Sequence, residues 1–113
     1  DCAIIVSTPQ EVALLDVKRG IRMFDKLGVK ILGLINNMSF FTGDDGKKYK
    51  IFGEGGVKKT ADEFKKEFLG EIPIDPKVGK TADEGMPIVE SDPTSEVSKI
   101  YLNFANKIKL IYL

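Results

Sequence analysis

Apolar residues are distributed along this chain in two rhythms that alternate. Residues 3–7 are short, β-branched and mostly apolar, the pattern of a strand buried on both faces. Thr8-Pro9-Gln10-Glu11 reads as a capping box with proline at the first helical position. Leu14, Val17, Ile21, Phe24 and Leu27 then recur at helical spacing until Gly28 stops the helix. Residues 30–35 predict a second buried strand. Strand, helix and strand within about 30 residues predict a βαβ unit and a parallel sheet.

The rhythm then changes. Aromatic and polar residues from Phe40 to Phe52 flank Gly43-Asp44-Asp45-Gly46, which predicts a β-hairpin at about 40–52. Gly55 and Gly56 open a helix predicted to run to about Lys66, with Val57, Ala61 and Phe64 on its apolar side. A third strand is expected at 68–72, ended by Pro73-Ile74-Asp75-Pro76, then a short helix over 77–84. Gly85-Met86-Pro87 breaks the pattern again. Ser91-Asp92-Pro93 leads into a last helix that places Val97, Ile100, Tyr101, Phe104 and Ile108 on one face. All three strands read as buried on both faces, yet doubly wound sheets commonly have about five or six strands. The first apolar run also begins at once, after Asp1-Cys2. A trimmed terminus would explain that; a chain starting inside a larger domain explains it better and is the expectation taken here.

Composition narrows the chemistry. The 113 residues form one domain-sized unit, 42% hydrophobic and 30% charged, with 17 basic and 17 acidic residues. That balance argues against a nucleic-acid partner, and no apolar run approaches a membrane span. There is no histidine and one cysteine, Cys2. Histidine catalysis, histidine–metal sites and an internal disulfide are therefore excluded within these residues. A cytoplasmic setting is expected.

Two segments imitate a phosphate loop. Residues 53–60, Gly-Glu-Gly-Gly-Val-Lys-Lys-Thr, fit G-x-x-x-x-G-K-[ST] except that Lys58 replaces the second glycine. Gly79-Lys80-Thr81 ends such a motif, but Ile74 replaces its first glycine. Open α/β sheets bind ligands beyond the carboxyl ends of their strands. The loops expected there are Ser7 to Gln10, Asn36-Asn37-Met38-Ser39 and Pro73-Ile74-Asp75-Pro76. An asparagine carboxamide both donates and accepts, as a purine edge requires, while the prolines around Ile74 and Asp75 form a rigid wall. The competing reading is that Asn36 and Asn37 only end a strand and cap a turn. Cys2 reads as a core residue, and Asp44 and Asp45 as turn residues more than as ligands of a hard cation.

The same segments carry a family resemblance. Val6-Ser7-Thr8-Pro9-Gln10-Glu11-Val12-Ala13-Leu14 with Asp16-Val17-Lys18-Arg19-Gly20 is one piece; Leu32 to Phe41, Ile51 to Gly56, Leu69 to Pro76, Gly85 to Val89 and Ser91-Asp92-Pro93 are the others. In order and spacing, from residue 1 to about 105, the set resembles the Mrp/ApbC group of ATP-binding iron–sulfur cluster carriers. The resemblance implies the deviant Walker P-loop NTPase fold of MinD, ParA and nitrogenase iron protein. The expected fold is thus α/β: residues 1–113 as one partial domain, the C-terminal portion of a doubly wound, mainly parallel P-loop sheet with a hairpin insert.

It also implies a division of labour. Asn37 matches the asparagine that reads adenine, and Pro73, Ile74 and Asp75 match the loop against the base. The family's Lys-Gly-Gly-Val-Gly-Lys loop and switch aspartates do not occur in residues 1–113. The phosphate and Mg²⁺ sites of bound ATP would lie outside this chain, which alone should not hydrolyse ATP and supplies no catalytic residue. Gly53, Gly55 and Gly56 match the family's Phe-Gly-x-Gly-Gly turn and so need not form a phosphate loop. The resemblance implies a homodimer of the full-length protein, a four-iron–four-sulfur cluster bridging its subunits, and apo iron–sulfur proteins as recipients. The insert departs from this pattern: Thr42-Gly43-Asp44-Asp45-Gly46 stands where the family usually has Cys-x-x-Cys, so no metal-ligating residue is assigned. That departure favours a rival, a MinD/ParA-like regulatory or positioning ATPase without metal cargo. A free-standing, non-enzymatic binding module is the second rival.

Overall fold

A computed structural model describes residues 1–112. The elements, in order, are β1 (Cys2–Ser7), α1 (Glu11–Leu27), β2 (Lys30–Asn37), β3 (Phe41–Thr42), β4 (Lys48–Tyr49), α2 (Gly56–Glu63), β5 (Phe68–Ile72), α3 (Pro76–Asp83), α4 (Ile88–Ser91) and α5 (Glu96–Tyr112). β1, β2 and β5 form a parallel sheet in the order β1-β2-β5, and β3 pairs antiparallel with β4 as a separate hairpin. The α/β class, the parallel sheet and the hairpin all match the sequence-based expectation.

Helices cover both faces of the sheet. On one face Val17 and Ile21 of α1 and Val57 and Ala61 of α2 pack on Ile31 and Leu34. On the other, Ile88 of α4 and Val97 and Phe104 of α5 pack on Ile35, Leu69 and Ile72. Successive residues of a strand point to opposite faces. Asn36 therefore shares the α1/α2 face with Leu34, and Asn37 shares the α3–α5 face with Ile35.

Several boundaries differ from expectation, each for a local reason. Only central β2 is buried on both faces. β1 and β5 are the outer strands, and Val6 of β1 is 55% exposed. The capping box does not form. Thr8 Oγ1 donates to Gln10 Oε1 (2.9 Å), the helix begins at Glu11, and its cap residue Gln10 offers no side-chain bond. Gly28 does end α1, in the left-handed conformation at φ 72°. α2 stops at Glu63, short of Lys66, because Lys65 turns left-handed (φ 56°) and the Lys66 N–H closes back on the Ala61 carbonyl at 2.8 Å. α3 spans Pro76–Asp83, with Pro76 in its first turn and Asp75 accepting the Lys77 N–H at 2.9 Å. The one-turn α4 was not legible in the sequence, and α5 begins only at Glu96. A fully buried hydroxyl organises that junction: Ser98 Oγ donates toward the Ile88 and Asp92 carbonyls at 3.0 and 2.6 Å.

Candidate functional site

The loops at the carboxyl ends of β2 and β5 are brought side by side. Asn37 is paired with Ile72 in the sheet register. Beyond that pair, the Ser39 N–H donates to the Ile72 carbonyl at 3.0 Å and the Ile74 N–H to the Phe40 carbonyl at 2.7 Å. The base of the hairpin is thus fastened to the segment that includes Pro73 and Ile74. Of the four sequence-predicted site residues, Asn37, Ile74 and Asp75 are half-buried and Pro73 is buried. Asn37 Oδ1 accepts the Met38 N–H at 2.9 Å, which fixes which way the carboxamide faces. Met38 is left-handed at φ 55°, an uncommon conformation for a side-chain-bearing residue. Asp75 uses one carboxylate oxygen to cap α3, so its part in a wall falls to its backbone and remaining surface.

Both phosphate-loop imitations dissolve in the structure. Gly53 and Gly55 have positive φ (121° and 73°), and Gly56 opens α2. A Cβ on Gly56 would stand 2.5 Å from Leu14 Cδ1 and 3.3 Å from the Pro9 carbonyl oxygen. The glycines let this turn press onto the Thr8-Pro9-Gln10 loop. Thr60, at the motif's hydroxyl position, is buried inside α2 and donates to the Gly56 carbonyl at 2.8 Å. Gly79, Lys80 and Thr81 lie within α3, with Thr81 Oγ1 bonded to the Lys77 carbonyl at 2.9 Å.

The hairpin insert is a self-contained turn. Asp45 accepts the Lys47 N–H at 2.9 Å and the Tyr49 hydroxyl. The Tyr49 hydroxyl, aided by the Lys47 N–H, holds the Asp45 carboxyl below its ordinary value, and Asp45 raises the Tyr49 phenol in return. Lys48 Nζ lies 4.5 Å from the centre of the buried Phe40 ring. Cys2 is half-buried in β1 opposite Lys30, at the end of the sheet away from the insert. Among the described residues no cluster of three or more His, Cys, Asp or Glu could hold a metal ion.

A polar cluster behind this loop escaped the sequence reading, which named Asn36 and Ser39 but not their link to Glu71. Asn36, 5% exposed, donates from Nδ2 to Ser39 Oγ (3.3 Å), and the buried Ser39 donates to Glu71 Oε2 at 2.6 Å. One signal for it was present: Glu71 is the lone charge in an otherwise apolar or glycine strand, Phe68-Leu69-Gly70-Glu71-Ile72.

Against this geometry the comparisons with known proteins are decisive about descent. The ParA family model, described as NUBPL iron-transfer P-loop NTPase, matches residues 1–109. The chain belongs to that family. Among its relatives, the iron–sulfur cluster carrier protein of Aquifex aeolicus is 44% identical over 110 residues, which is 96% of this chain and 30% of that protein. An Arabidopsis thaliana protein, the mitochondrial iron–sulfur protein required for NADH dehydrogenase, is 47% identical over 94% of this chain and 34% of its own length. The chain thus spans about a third of the curated relatives it matches.

Solved structures agree. The cell division ATPase MinD of Pyrococcus furiosus superposes with a TM-score of 0.73 at 25% identity, covering 96% of this chain and 42% of MinD. A nucleotide-binding protein of Archaeoglobus fulgidus, solved with ADP, gives 0.62 at 39% identity over 74% of this chain and 35% of its own. The P-loop NTPase fold expected from the sequence is therefore the fold of this chain. No helix among the described residues is long and apolar enough to cross a membrane.

Proposed function

We propose that residues 1–113 are the C-terminal, base-binding part of the nucleotide domain of an ATP-dependent iron–sulfur cluster carrier. The single observation that carries this reading is the family match over residues 1–109, which takes in both loops fastened together at the sheet's carboxyl edge. Asn37 reads adenine: its Oδ1 keeps a lone pair for the exocyclic amine, and its Nδ2 donates to a ring nitrogen. Pro73, Ile74 and Asp75 form the wall against which the base lies. The ADP held by the Archaeoglobus fulgidus relative supports a nucleotide at this fold. The phosphates, Mg²⁺ and the hydrolytic groups belong to parts of the protein outside this chain.

The cargo is a separate matter. Iron–sulfur ligation needs thiolates, and the hairpin offers Thr42, Gly43, Asp44, Asp45 and Gly46, with Asp45 already committed to Tyr49 and Lys47. The residues of this chain do not fit a cluster, so a carried cluster would be held elsewhere in the protein. That its relatives are iron–sulfur cluster carrier and transfer proteins supports the cargo and its delivery to apo iron–sulfur proteins. The full-length protein acts as a homodimer in the cytoplasm, with the hairpin near the contact between subunits.

One observation favours a second reading. A hairpin without thiolates suits a MinD-like nucleotide switch with no metal cargo, and MinD is among the structural neighbours. Anaerobic reconstitution of the full-length protein separates the two. The carrier reading expects a bound cluster, ATP-dependent in its transfer to an apo-acceptor; a protein that neither binds nor transfers one is the switch.

A further inference from the structure

Among the described residues, Met38 and Lys65 carry a side chain at positive φ, and only one of them has a helix end to explain it. Lys65 closes α2: just beyond it the Lys66 N–H returns to the Ala61 carbonyl, the bond a left-handed residue makes possible at a helix end. Met38 follows a strand instead. Its side chain is 44% exposed, so packing of the methionine does not hold it at φ 55°. Two hydrogen bonds do. The Met38 N–H turns back to Asn37 Oδ1 at 2.9 Å, and the next amide, that of Ser39, crosses to the Ile72 carbonyl at 3.0 Å. The only torsions between those two amides are φ and ψ of Met38, so its conformation is what lets both bonds form together.

The first of these bonds fixes a choice. An asparagine carboxamide can be turned end over end with little change of shape, exchanging its acceptor for its donor. A backbone N–H needs an acceptor, so Oδ1 faces Met38 and Nδ2 points away from it. Turning the group over would set two donors against each other. The bases differ in the same property: adenine carries an amine donor at N6 where guanine carries the O6 acceptor. Oδ1 keeps a second lone pair for an amine such as N6 and offers only repulsion to O6. A carboxamide free to turn over would serve either base.

We propose that Met38 is a positioning residue for base selectivity: its left-handed backbone locks the Asn37 carboxamide in the orientation that accepts adenine and rejects guanine. Met38 acts through its backbone, and its thioether need not touch the base. This role rests on the reading of Asn37 as the base-binding group.

Binding of ATP and of GTP to the full-length protein, measured by calorimetry, tests it. The wild type should prefer ATP. Met38→Val carries a β-branched side chain, for which the left-handed region is a true outlier. The loop must then move, and the preference should narrow about tenfold, roughly the worth of one hydrogen bond. Met38→Gly, at ease at positive φ and still bearing its N–H, should restore what Met38→Val loses. Met38→Ala should keep the preference without the thioether. Loss of the preference in Met38→Gly or Met38→Ala would show that the side chain acts on the base, and would overturn the proposal. So would an equal fall in ATP and GTP affinity for Met38→Val, which a purely structural role predicts, or a wild type indifferent to the base. Asn37→Ala, measured alongside, tells the two assignments apart. If it abolishes the preference while Met38→Val retains it, the role of Met38 is wrong and that of Asn37 stands. If it leaves both affinities unchanged, Asn37 does not read the base and both assignments fall.

Discussion

Asn36 and Asn37 are the same residue type, one peptide bond apart, at the end of the same strand, and their surroundings differ in every respect. Asn36 points to the α1/α2 face, is buried, and belongs to a chain of bonds that reaches Glu71. Asn37 points to the α3–α5 face, is half-buried, and is tied only to its own neighbour through Met38. The pair teaches that a strand end at the carboxyl edge of a parallel sheet puts neighbouring side chains in two different settings at once. The period of two assigns each side chain to one of them. On the proposed reading Asn37 binds the base and Asn36 holds Ser39 in place, so perturbing one should leave the other's readout intact.

The largest expected effect comes from the rows behind the two asparagines. Leu34 lies on the Asn36 side and is fully buried, so Leu34→Ala should cost about 2–5 kcal/mol, against about 0.5–1.5 kcal/mol for Ile35→Val on the Asn37 side. Urea unfolding measures both; the difference reflects three carbons removed against one, and a loss below about 1 kcal/mol for Leu34→Ala would show that the row behind Asn36 is not core. Next comes Ser39→Ala, which strands the Asn36 amino group and a hydrogen bond to a charged carboxylate. A loss of about 1–3 kcal/mol is expected, together with shifted amide signals in the 40–52 hairpin; because the Ser39 N–H to Ile72 bond survives the change, a hairpin spectrum that does not move would show that the Ser39 side chain is not coupled to the hairpin. Lys65→Gly, far from both asparagines, should stabilise by about 1 kcal/mol by relieving a left-handed non-glycine residue. It is the control that shows stability can rise without touching either site.

The smallest effect is on pH. Asp45 has a depressed value in the folded state, so its contribution is present above the ordinary 3.8 and is lost as pH falls through the lowered folded value. Tyr49 has a raised value, so its contribution is present below the ordinary 10.0 and is lost as pH rises through the raised folded value. Both groups are exposed, which keeps the effect small and local to the hairpin. Tyr49→Phe should remove the alkaline limb from a hairpin-reporting NMR titration and move the acid limb up toward the ordinary carboxylate value, while leaving the signals of Asn36 and Asn37 unchanged.

Most of the fold was legible because it rests on short-range patterns. The run 30–35 located β2, Gly28 located the end of α1, and the Asp/Gly turn located the hairpin. The failures came where tertiary contacts outweighed local preference. Thr8 looked like a cap, yet the Thr8-Pro9-Gln10 loop is pressed against Gly53 and Gly56, and the helix starts later. α4 depends on Ser98, ten residues away from the Ile88 carbonyl it bonds, so no local window could reveal it. The strands β1 and β5 looked doubly buried because a run of apolar residues does not say whether a neighbouring strand is present. At the candidate site, the asparagine loop and the Pro73-Ile74-Asp75 loop could be named from side-chain chemistry and the family resemblance, and the structure brings the two together. The partnership of Ser39 with Glu71 spans 32 residues and had only the odd charge in β5 to announce it.

The central claim is that Asn37, and not its neighbour, reads the nucleotide base. It is tested most directly by measuring ATP affinity of the full-length protein by calorimetry for Asn37→Ala and Asn36→Leu in parallel. Removing a base-reading hydrogen bond should weaken ATP binding by about 1–3 kcal/mol, roughly 5- to 150-fold, for Asn37→Ala. Asn36→Leu should leave the affinity as it was. An unchanged affinity in Asn37→Ala, or an equal loss in both variants, would contradict the account.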